Sequence, residues 1–324
     1  MRASHLIAGS LALLSLLPLR HVAGPVHESP DGKNLSLSME FDGIERSYSL
    51  YVPAGDHEKE KYPLVIALHG GGGTAKGLIR IMNNQFNKIA DREGVYVAYP
   101  EAVRRHWNEG RDMPLSYAHR TDVNDVGFIE SMIKSLLESH PIDQDRIFVT
   151  GMSNGGLMAY RLGCSLPDLV KAIAPVSASM PTDILSECND SQGTGLMVLN
   201  GTEDPQMPYD GGIITVFGVE RGEVLSTDAT IDYWLKANGC PLHSQKKMLP
   251  DTARQDETTV TKYLYSKCNS DVKVALYRVE GGGHTWPGGR QYLREDRIGK
   301  TTRDINACEE IWSFFAVPLQ SSPL

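Results

Sequence analysis

The chain has 324 residues, 41% of them hydrophobic and 22% charged, and carries a net charge of −8 at pH 7. That balance excludes a multi-span membrane protein, a collagen and a largely disordered chain. Acids outnumber bases and no stretch is dense in Lys or Arg, which argues against nucleic acid and anionic membrane surfaces as partners.

At the N-terminus, Arg2 and His5 precede an apolar run over 6–19. The run is too short to cross a bilayer and right for the core of a signal peptide, with small residues following at Ala23 and Gly24. Residues 1–24 are therefore read as a signal peptide and 25–324 as one catalytic domain. The expected location is secreted or periplasmic, with no membrane attachment after cleavage.

The chain then alternates strands and helices. Strands over 35–41 and 46–52 flank Asp42-Gly43, a hairpin turn signal. The apolar run over 64–68 reads as a buried parallel strand. A helix over 78–91 and a strand over 95–99 follow. The helix over 123–139 carries Val126, Ile129, Ile133, Leu136 and Leu137 on one stripe and stops at Pro141. Next come a strand over 146–150, a helix over 154–163, strands over 172–176 and 196–199, a helix over 227–237, a strand over 272–279 and a helix over 305–315. This order predicts an α/β fold with a mostly parallel sheet covered on both faces and an N-terminal β-hairpin.

Export gives the five cysteines a meaning, since pairs are expected in an oxidising compartment. Their spacing fits no zinc site. Cys308 lies on a helical stripe with Ile305, Ile311, Trp312 and Phe315, which predicts a buried free thiol. The remaining four pair most simply as neighbours, Cys164 with Cys188 and Cys240 with Cys268. Each pair would close a loop of about 25 residues, worth roughly 3 kcal/mol.

Three glycine-rich segments carry chemistry. Gly151-Met152-Ser153-Asn154-Gly155 sits between a strand and a helix. Such a sharp turn exposes its central hydroxyl above the sheet, which makes Ser153 a candidate nucleophile. His69-Gly70-Gly71-Gly72-Gly73 follows the buried strand, where Gly71 or Gly72 and the N–H of Asn154 would form an oxyanion hole. Gly70, Gly72 and Ala75 also fit a dinucleotide fingerprint, but its acidic partner, at best Glu101, comes too late. The third segment, Gly281-Gly282-Gly283-His284, puts a histidine past a strand end. Asp204 lies past another, with Glu203 as the alternative acid. The order Ser153, Asp204, His284 is that of α/β-hydrolases.

The segments HGGGG (69–73), HWNEGR (106–111), NDVGFI (124–129), GMSNGG (151–156), NGTEDPQMPY (200–209) and EGGGHTWPGG (280–289) resemble those of the exported polyhydroxybutyrate depolymerase and feruloyl esterase family. The resemblance implies an α/β-hydrolase fold and a Ser153, Asp204, His284 triad. It also implies that Trp107, Asn108 and Trp286 border the substrate cleft and that Asp125 supports the site. The expected activity is ester hydrolysis through an acyl-serine, with no metal or organic cofactor. The substrate is a hydroxyalkanoate ester or oligomer, or alternatively a feruloyl or acetyl group on plant polysaccharide. A non-catalytic polymer-binding protein is the remote alternative. Loops within 104–122, 205–225 and 285–303 are expected to set the choice of substrate.

Overall fold

The computed structural model describes residues 32–55, 60–188 and 193–316. The chain opens on the hairpin β1 (Lys33–Phe41) and β2 (Ile44–Val52). Asp42 and Gly43 both take positive φ, 51° and 71°, as a two-residue turn that follows the strand twist requires. Then come β3 (Tyr62–Leu68), α1 (Ala75–Ile81), α2 (Gln85–Glu93), β4 (Tyr96–Pro100), the short α3 (Tyr117–Arg120), α4 (Asp125–Ser139), β5 (Ile142–Met152), α5 (Asn154–Ser165) and β6 (Ala172–Val176). The C-terminal half holds β7 (Gly195–Gly201), β8 (Gly212–Val216), β9 (Val219–Val224), α6 (Thr227–Ala237), β10 (Gln245–Met248), β11 (Thr259–Tyr265), β12 (Val274–Glu280), α7 (Glu295–Ile298) and α8 (Ala307–Ala316).

Ten strands form one sheet in the order β1-β2-β4-β3-β5-β6-β7-β12-β11-β10. The block from β4 to β12 is parallel, and each end is extended by antiparallel strands. Side chains of β3 alternate between two apolar layers, as the pleat demands. Leu64, Ile66 and Leu68 lie in the layer that holds Phe128 of α4, Leu157 of α5 and Trp234 of α6. Val65 and Ala67 join the layer of α1, α2 and α8 with Leu78, Phe86 and Ile311.

Two expectations are corrected. The helix over 78–91 is two helices, because Asn83 and Asn84 adopt left-handed φ of 54° and 60° and break it. The sequence reading also lacked the β8–β9 hairpin and the β10–β11 pair. Strand β10 is exposed at every position, so no alternation marks it. The disulfides are Cys164–Cys188 and Cys240–Cys268, and Cys308 is a buried free thiol whose pKa is raised by that burial. No helix among the described residues is long and apolar enough to cross a membrane. The segment read as a signal peptide, 1–24, lies outside the described residues.

Candidate active site

Ser153 occupies the single residue between β5 and α5, at φ 55° and ψ −123°. A non-glycine residue adopts that conformation only where its surroundings impose it. Here the crowding comes from β3: a Cβ on Gly155 would fall 2.3 Å from the Leu68 carbonyl oxygen. The turn can therefore pass only as glycine, and it lifts Ser153 to the C-terminal edge of the sheet. Ser153 N–H donates to Val176 O at 2.9 Å, which ties the turn to the neighbouring strand.

The acid and base arrive from the adjacent parallel strands β7 and β12. Their outgoing loops are pressed together, since a Cβ on Gly201 would lie 2.1 Å from Gly282 O. His284 Nδ1 stands 2.7 Å from Asp204 Oδ2, and both side chains are buried. The other carboxylate oxygen of Asp204 accepts the N–H groups of Gln206 and Met207, each at 2.8 Å. A carboxylate held in this way keeps the proton on Nδ1 and leaves Nε2 as the acceptor. Glu203 is exposed, and of the two acids it is Asp204 that contacts His284.

The glycine loop after β3 narrows the oxyanion donors. Gly72 N–H donates to Arg105 O at 2.8 Å, which removes it from the pair Gly71 and Gly72. Gly71 N–H and Asn154 N–H have no acceptor among the described residues. His69 is buried; its Nδ1 lies 2.8 Å from Gly70 O and its Nε2 accepts Ala102 N–H at 3.1 Å. Burial lowers its pKa, so it is a neutral strut of the loop. Glu101 accepts Ala75 N–H at 3.0 Å, at the start of α1.

The three residues expected to border the cleft are all buried. Trp107 and Trp286 are 0% and 1% exposed and belong to the two apolar layers. Asn108 is buried, with its amide donating to Asp122 Oδ1 and Val123 O. Asp125 is also buried. It accepts Arg46 Nη2 at 2.6 Å and Asn108 N–H at 2.7 Å, and burial raises its pKa against the pull of Arg46.

Sequence reasoning missed Glu109, Arg111 and His119. Glu109 is fully buried, accepts from Arg111 Nε, lies 3.1 Å from His119 Nε2 and receives Asn154 Nδ2 at 2.6 Å. Burial works against its charge, but Arg111 and His119 hold the carboxyl down to about 2.

The sheet, the helices on both faces and the dyad at the sheet's C-terminal edge define the α/β-hydrolase fold. The same fold appears in the acetyl xylan esterase of Aspergillus awamori, at 14% identity and a TM-score of 0.57 over 88% of this chain and 99% of that one. Residues 46–189 match the family model described as esterase PHB depolymerase. Similar sequences include the putative esterase NocK of Nocardia uniformis, 28% identical over 90% of this chain and 85% of that protein. Feruloyl esterase B of Piromyces equi is 27% identical over 74% of this chain, which spans only 42% of that protein. Probable feruloyl esterase C of Aspergillus niger is 27% identical over 62% of this chain and 70% of its own length. The protein is a carboxylic ester hydrolase of the α/β-hydrolase superfamily. Its residues 46–189 are similar to the esterase PHB depolymerase family, over somewhat less than half of the chain.

Proposed function

We propose that the protein is an exported serine esterase acting through Ser153, His284 and Asp204 on hydroxyalkanoate esters or their oligomers. The observation that carries the reading is the 2.7 Å contact of His284 Nδ1 with Asp204 Oδ2, at the sheet edge that also bears the strained Ser153. His284 Nε2 takes the Ser153 hydroxyl proton as the oxygen attacks the acyl carbonyl carbon. The tetrahedral oxyanion is received by the N–H groups of Gly71 and Asn154. His284 returns the proton to the leaving alcohol, and water then repeats the sequence on the acyl-serine to release the acid. Every step is carried by the chain's own groups and calls for no metal or organic cofactor.

The choice of hydroxyalkanoates is supported by the family model, whose match spans the oxyanion loop and the Ser153 turn. The names of the relatives favour a second reading, in which the acyl group is feruloyl or acetyl on plant polysaccharide. Measuring kcat/KM with hydroxybutyrate oligomers, methyl ferulate and acetylated xylan separates the two. A preference for methyl ferulate or acetylated xylan would replace the first reading with the second. Labelling with a fluorophosphonate followed by peptide mapping tests the nucleophile, and the adduct is expected on Ser153.

A further inference from the structure

We infer that the segment 105–111 is a clamp that fixes the spacing of the two oxyanion donors, with Glu109 as its positioning residue acting through the side chain of Asn154. The inference rests on the catalytic reading above.

One side of the clamp grips the glycine loop. Arg105 O receives Gly72 N–H, and the Trp107 indole N–H donates to His69 O at 2.9 Å. The His106 ring lies so close over Gly71 that a Cβ there would sit 2.6 Å from its Cε1. The other side grips the residue after Ser153. Trp107 N–H donates to Asn154 Oδ1 at 2.8 Å, and Asn154 Nδ2 donates to Trp107 O at 3.2 Å and to Glu109 Oε2 at 2.6 Å. The Asn154 amide thus has its oxygen and both hydrogens engaged and a single orientation open to it. The middle of the segment is itself fixed, with Asn108 N–H on Asp125 and Arg161 Nη1 on Asn108 O at 2.8 Å.

Glu109 must be a carboxylate to do this. Arg111 Nε donates to its Oε1 and Asn154 Nδ2 to its Oε2, and only an acceptor at both oxygens satisfies them. A glutamine would turn one N–H₂ toward another donor. Asn154 would then lose its lateral anchor, and its backbone N–H would drift from the line of the Gly71 N–H. A displacement near 1 Å in such a site costs on the order of 10²-fold in rate.

The test uses Asn154→Ala, which keeps the backbone N–H donor and removes only the clamped side chain. With p-nitrophenyl acetate, kcat is expected to fall by roughly 10²-fold with KM little changed, as for a donor that acts in the transition state. Affinity for a phenylboronic acid, which forms a tetrahedral adduct in the same hole, should fall by the same factor as kcat/KM. Glu109→Gln should have a similar effect alone and add little in the Asn154→Ala background, because the two act through one contact. Wild-type kcat in Asn154→Ala overturns the inference, as does a Glu109→Gln cost that is undiminished in that background. A merely structural role would lower Tm and leave kcat of the folded enzyme unchanged. If Glu109→Gln does not fold, the kcat and boronate affinity of Asn154→Ala decide alone. Ser153→Ala separates the two levels: retained activity there sinks the catalytic reading itself, whereas an inactive Ser153→Ala beside a fully active Asn154→Ala sinks only the clamp.

Discussion

The two flanks of Ser153 are built from different materials. On the His284 side, a buried dyad is held mostly by backbone N–H groups and by two loops packed glycine against carbonyl. On the Asn154 side, full charges are buried: Glu109 against Arg111, and Asp125 against Arg46. A base that must gain and lose a proton in each turnover suits surroundings that carry no competing ion. Donors that must stay still suit an ion lattice, since separating buried partners is expensive. Under the proposed mechanism, the side that exchanges protons is framed by dipoles and the side that only positions is framed by ions.

The contrast can be broken at several levels. The largest expected effect is on the titrating side, where Ser153→Ala and Asp204→Asn should each lower kcat/KM for p-nitrophenyl butyrate by about 10⁴-fold. Loss of activity in Glu203→Gln instead would move the acid to the exposed neighbour. Next comes the ion side. Asp125→Ala strands the Arg46 guanidinium and should cost about 3–5 kcal/mol in urea unfolding. The exposed Lys134–Glu130 pair is the control, since Glu130→Ala should cost no more than roughly 1 kcal/mol.

The smallest effect is on pH dependence. Burial holds His69 and His106 neutral, His106 down to about 4 from its ordinary 6.5. Unfolding lets both take protons, so their contribution is whole above pH 6.5 and falls on acidification, that of His106 being lost as pH falls through 4. The contribution of Glu109, held to about 2 from an ordinary 4.5, is lost lower, as pH falls from 4.5 through 2. Tm should therefore decline in two stages on acidification, and His106→Gln should flatten the upper one. A single decline confined below pH 4 would show that the histidines are not part of it.

The same contrast explains what could be read from the sequence. The titrating side announces itself because its geometry needs glycine: Gly151 and Gly155 around Ser153, and Gly281-Gly282-Gly283 before His284. The parallel strands were equally legible from their unbroken apolar runs. The ion side is silent in sequence. Arg46 and Asp125 are 79 residues apart, and Glu109 in a polar loop looks like any solvated carboxylate until its partners converge. The burial of Trp107 and Trp286 was not legible either, since it depends on what folds over each ring. The β8–β9 hairpin escaped because its strands are short and half-exposed.

The position of Cys308 in α8 bears on how the chain acquires its bridges. A chain that emerges N-terminus first presents Cys164, Cys188, Cys240 and Cys268 in that order, and each native bridge joins a cysteine to the next one out. The only unpaired thiol, Cys308, is the last to appear. Thiol exchange needs an accessible thiolate, and in the folded chain the fifth sulfur is buried. Refolding the full-length reduced chain from denaturant discards that order and exposes all five sulfurs at once. The succession of cysteines along the polypeptide therefore works as a timetable, with the spare thiol arriving last and then closed inside the α8 layer.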